Sequence, residues 1–269
     1  MLGWASRTRE APARSWSMRP WFRSGERHFR VSLSSFFGAF LVALMAVPTP
    51  ELAALAAAVS KARLELFVRE TFTTQGTADL DRAWALMTWN AEVSSAFWAE
   101  IGWVELVVRN AIDRELARMS TKHPKTGKDP HWFHHTRALG FRHGDADRVD
   151  EAVGKLTSEG KAINPQRVVA MLNFGFWRHI VAAPNHENLW VPQLHHAFPG
   201  QTRVSVESAM VLVHDLRNRP ICKGGAQANV VALHAVLGAC HRLVGWAAPP
   251  FAPTIVASSR VARLINARP

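Results

Sequence analysis

Two arginine-asparagine dipeptides are the residues in this sequence best suited by type to handle an anion. Arg109-Asn110 lies in VELVVRNAIDREL, and Arg217-Asn218 is followed by Arg219 in VHDLRNRP. A guanidinium presents a planar fork of donors that matches a phosphate or a carboxylate. On an otherwise apolar helical face it is costly to bury unless it meets such a partner. Glu105, four residues before Arg109, is one candidate partner. The plainer reading is an intrahelical ion pair at Arg109 and a basic helix end at Arg217-Asn218-Arg219, favoured by the macrodipole.

Histidine is the other chemically capable group, with 13 in the chain and close spacing at His131, His134 and His135 and at His195 and His196. Positions i and i+4 on one helix could hold a metal. No Glu lies between His131 and His135, however, and the segment reads as a loop, so neither a metal nor a cofactor is expected. Gly224-Gly225 and Phe174-Gly175-Phe176 lack the strand-glycine-helix context of a phosphate loop. No Gly-x-Ser-x-Gly elbow is present, so nucleotide-binding and hydrolase readings drop out.

The elements that must position these residues read as helices. Leu86, Trp89, Val93, Phe97, Ile101, Val104, Val108, Ile112 and Leu116 step by three or four residues, a single buried stripe about eight turns long. This predicts one long central helix over residues 77–119, capped by Thr77 or Asp79, or two helices joined by a kink near Gly102. A helix is also predicted over 50–72, with Pro50 near its first turn. Residues 120–142 are loop-like, and 145–159 form a short polar helix. Asn164-Pro165 supplies an N-cap and first-turn proline ahead of QRVVAMLNFGFWRHIV. A short apolar element spans 189–198, with helices over 203–219 and 226–246 and a tail helix over 257–267 capped by Ser258 or Ser259. No long period-two alternation appears, so the fold class is all-α, with adjacent helices packing as a bundle.

Composition sets the limits. The chain has 269 residues, 48% hydrophobic and 20% charged, enough for one large or two small domains with a packed core. Its net charge of +11 favours a polyanionic partner such as nucleic acid or an acidic surface. Two cysteines, Cys222 and Cys240, are too few for a disulfide framework, so a reducing, cytoplasmic setting is expected. Residues 1–44 read differently from 45–269. Seven Arg stand against two Glu before residue 31, leaving 25 basic and 19 acidic residues in the remainder. The uninterrupted apolar run from Phe36 to Val47 is twelve residues, short of the roughly 20 that span a bilayer, and no membrane partner is expected. Residues 1–44 are expected to be an upstream extension or a mis-called start. A signal-like segment or a basic membrane anchor is the alternative.

Several motifs together resemble a known family. These are Trp89-Asn90 with Phe97, Val104-Glu105-Leu106 with Arg109-Asn110-Ala111-Ile112-Asp113, Asn173-Phe174-Gly175-Phe176-Trp177-Arg178, Leu189-Trp190, Phe198-Pro199 and Leu216-Arg217-Asn218-Arg219. In order and spacing over residues 45–269 they resemble the Abi-like (abortive infection) family of the HEPN superfamily. The resemblance implies an HEPN-like helical bundle with additional packed helices. It also implies a metal-independent ribonuclease of phage defence, acting as a homodimer on RNA, with an antitoxin or a phage component as a possible further partner. Arg217, Asn218 and Arg219 then stand where the catalytic motif lies, and Glu105, Arg109 and Asn110 are candidates for a facing RNA-binding wall.

The family motif continues Arg-Asn-Arg through two apolar residues to His-His-Glu-Pro. Cleavage without a metal uses the ribose 2′-hydroxyl as nucleophile, so a group titrating near neutrality must move protons. A guanidinium stabilises the phosphoryl oxygens. Here Arg219 runs straight into Pro220-Ile221-Cys222-Lys223, without either histidine. His214 and His234 lie elsewhere. Losing about five residues rotates a continuing helix by about 140°, which a loop over 220–225 must absorb. The expectation is a surviving fold with impaired catalysis. The alternative is a non-catalytic module that binds RNA or protein, or the product of a decaying gene.

Overall fold

The computed structural model describes residues 61–71, 79–218 and 226–269. The expectations for residues 1–44, the first half of the predicted 50–72 helix, Arg219, Cys222 and the 220–225 loop lie outside these residues. Among the described residues the chain is helical, without strands, and the all-α expectation holds.

Helix α1 (Lys61–Glu70) leads into α2 (Leu80–Lys122), a single helix of 43 residues without a break at Gly102. Asp79 is its N-cap, accepting from the Arg82 backbone N–H at 2.9 Å. All nine stripe residues from Leu86 to Leu116 are buried, because their spacing keeps one face of the helix turned toward the other elements. Short turns at Pro124–Thr126 and Trp132–His134 follow, then α3 (His143–Ser158).

The run expected to follow Asn164 as one helix forms two, α4 (Pro165–Met171) and α5 (Phe174–Val181). Asn173 causes the break. Its side chain accepts from the Phe176 backbone N–H at 3.0 Å, starting a fresh helix where the apolar spacing alone would carry the first one on. Residues 186–190 and 194–197 form short turns, followed by α6 (Arg203–Asn218) and α7 (Ala226–Ala247). Two short helices end the chain, α8 (Ala252–Ser258) and α9 (Val261–Asn266). The tail helix predicted over 257–267 is the shorter α9, and α8 before it was not expected.

The core forms where α2, α6 and α7 pack together, with α5 against α6 and α9 against α2 and α7. Trp177, fully buried, donates its indole N–H to the Leu172 carbonyl at 3.1 Å and locks the α4–α5 junction. Among the described residues, one helix, α7, is long and apolar enough by composition to cross a membrane. Its Leu233, Val236, Leu237, Leu243 and Val244 belong to the shared core instead. Cys240 is free and buried there, and that burial, with the Glu100 charge nearby, pushes its thiol up to about 12.

Candidate functional site

Helix α6 buries Val206, Met210 and Val213, and this phase leaves His214 and Arg217 half-buried on the flank and Asn218 exposed. On α2, Val104 and Val108 are fully buried before and after Glu105, which sets Glu105 at the margin of the buried face, within reach of α6. Arg217 Nη2 meets Glu105 Oε2 at 3.5 Å, with the two side chains 26% and 21% exposed. The expected Glu105–Arg109 pair is therefore replaced by a bridge between helices. Arg109, one turn further along α2, keeps a buried Nε without a hydrogen-bond partner. Asn110 lies five positions after Glu105, about 140° round the helix, and is exposed. So the structure brings Glu105 and Arg217 together, gives Arg109 no ion pair with either among the described residues, and leaves Asn110 and Asn218 exposed. Arg219 lies outside the described residues.

A second group adjoins this one through α5. The His214 ring stacks on Phe174 with centroids 6.3 Å apart at 28°. The approach is tight enough that a Cβ on Gly175 would stand 3.3 Å from His214 Nε2 and 3.1 Å from Asn173 Oδ1. The Asn218 amide nitrogen lies 3.1 Å from His214 Nε2, a contact between residues one turn apart. Burial, followed by the Arg178 charge, holds His214 below the ordinary histidine value. Arg217 and His179 act in the same direction, and Asp215 acts against them.

His179 is depressed for the same reasons, burial first and then Arg178 and Arg148, with Asp145 opposing. Arg178 Nη2 lies 3.3 Å from His179 Nε2. Because a guanidinium only donates, His179 accepts there as the neutral ring. The Arg178 Nε is buried without a hydrogen-bond partner. Two imidazoles held neutral beside Arg178 and Arg217 can accept a proton or a hydrogen bond, while the guanidiniums can grip an oxyanion.

Arg178 and His179 were not singled out as site residues in the sequence. Their signal was present but faint: a cation and a histidine follow directly on the buried Phe176-Trp177 pair of a capped helix, so they must emerge at its edge. His214 carried a clearer signal, lying three positions before Arg217 and hence on nearly the same helical face. Elsewhere, Asp129 holds His131 Nδ1 at 2.8 Å and His135 Nε2 at 2.9 Å. Among the described residues no group of three His, Cys, Asp or Glu side chains could hold a metal ion. No protein-family model, curated protein or solved structure matches the chain.

Proposed function

We propose that this chain is an Abi-like, HEPN-type phage-defence protein that binds RNA as a homodimer and whose metal-independent RNA cleavage is impaired. The observation that carries the reading is the Arg217–Glu105 bridge, which joins the arginine of one Arg-Asn dipeptide on α6 to a carboxylate on α2 one turn before the other dipeptide. An arginine held by a partly exposed carboxylate is positioned but not permanently neutralised, and a phosphodiester can exchange with that carboxylate. The net positive charge of the chain acts in the same direction, since neutralising RNA phosphates releases counterions. Impairment follows from the sequence after Arg219, where the histidines of the family motif have no counterpart.

The test compares the full chain with a version carrying Ile-Ala-His-His-Glu between Arg219 and Pro220, both in EDTA. Binding of single-stranded RNA by both, with cleavage only by the insertion version, is the expected result. Failure of both to bind RNA, or efficient cleavage by the unaltered chain that disappears in Arg217→Ala, would overturn the proposal.

A further inference from the structure

We propose that Arg178, His179 and His214, with Arg148 nearby, form a phosphate-binding site on the edge of α5, distinct from the Arg217–Glu105 pair and adjoining it. The ligand class is a phosphate ester, and on the function proposed above, on which this inference rests, it is an RNA phosphodiester one or two units along the strand from the one at Arg217.

Among the described residues Arg178 forms no ion pair, and its one side-chain hydrogen-bond contact is a neutral imidazole. A guanidinium with a buried, unpartnered Nε bears a desolvation cost that a bound anion would offset. Besides Arg178 itself, the neighbouring charges that act on the two rings are Arg217 and Asp215 on α6 and Arg148 and Asp145 on α3. Asp145 is occupied, since it accepts from the Asn185 amide at 3.1 Å and lies 3.6 Å from Arg148. Glu105 is engaged by Arg217. Among the described residues Arg178 is thus the cation of this cluster without a carboxylate partner.

The two histidines supply what a bare arginine lacks. The neutral His179 imidazole accepts from Arg178, and on taking up a proton it becomes a second donor to phosphate oxygens. Burial and the neighbouring arginines hold both rings below the ordinary histidine value. An incoming anion reverses that balance. The basic surface also continues past Arg148 into a cleft of about 320 Å³, lined by Arg148, Lys155, Glu151, Asn173 and Phe176 among others. Glu151 on its wall disfavours a phosphate inside it, so the phosphate is placed at Arg178, with the cleft left for the next sugar or base.

The experiment follows the histidine ring resonances of the full chain by NMR while inorganic phosphate, and separately a short RNA, is added at constant ionic strength. Expected are saturable shifts of His179 and His214 with both ligands and loss of those shifts in Arg178→Ala. RNA affinity should fall about tenfold in that variant, and the salt dependence should lessen by about one phosphate contact. His214→Gln serves as a second variant, and the wild-type titration needs no variant at all. Arg137→Ala, whose exposed guanidinium pairs with Asp150 and Asp147, should change nothing. If phosphate moves both rings but RNA does not bind, the site stands with a free phosphate or monoester as ligand, and the RNA reading falls. If RNA binds, while neither ligand moves the rings and Arg178→Ala binds as the wild type, the inference is overturned and the RNA reading survives.

Discussion

Glu105 both positions Arg217 and competes with any anion that Arg217 could bind. Glu105→Gln should therefore raise RNA affinity, by about two- to fivefold in a fluorescence anisotropy titration. Stability should change by under about 1 kcal/mol, as for other partly exposed pairs. If the pair were purely structural, the variant would lose stability and gain no affinity. His179 and His214 give a second prediction through pH. Their folded pKa values lie below the unfolded histidine value of about 6.5, so the unfolded chain binds more protons than the native one as pH falls through that range. Stability should be greatest above pH 7 and decline as pH drops toward 5.5, with a smaller decline in His214→Gln, read by thermal melting. RNA affinity should move the opposite way, tightening between pH 8 and pH 6 as an anion favours the protonated rings. Of these residues, Arg217 and Glu105 were legible in the sequence. Their partnership was not, because Glu105 sits four residues before Arg109 and local spacing points to the nearer arginine.

Helix α5 decides whether this cluster assembles. It has only eight residues, too few to hold itself together without its cap and its packing. Asn173→Ala removes the side chain that accepts from the Phe176 N–H and should cost about 1 kcal/mol, with a melting temperature lower by about 2–4 °C. The same variant should weaken RNA binding although Asn173 carries no charge, because α5 aims Arg178 and His179. Gly175→Ala should shift the His214 ring signals without ligand, since the added Cβ would crowd both Asn173 Oδ1 and the His214 ring. The long helix α2 was legible because its buried stripe persists through nine positions without a competing signal. The α4–α5 break was not, because Val168, Val169, Leu172, Phe176 and Ile180 keep helical spacing across it, and one asparagine side chain settles where the second helix begins.

At the scale of the whole molecule, the chain closes on itself through its end. Trp89 on α2 donates to the Leu264 carbonyl on α9 at 2.6 Å, and Arg268 lies over the Trp89 ring at 5.4 Å while pairing with Glu70. Trp89→Phe should cost about 1 kcal/mol and raise hydrogen exchange in α9 ahead of the rest of the chain. The helical class was legible from period and length alone. This tether was not, since nothing in the spacing of Trp89 and Leu264 links positions so far apart. Cys240, with its thiol pushed up to about 12, should resist alkylation at pH 8 until the chain unfolds, as site-resolved mass spectrometry would show.

On the proposed function Arg217 meets RNA phosphate beside Glu105, and the RNA affinity of the full chain and of Arg217→Ala, measured in EDTA over a series of salt concentrations, checks this. Affinity should be about tenfold weaker in the variant and the log-affinity against log-salt slope shallower by about one contact, with the melting temperature nearly unchanged. Equal affinities and equal slopes for two folded proteins would contradict it.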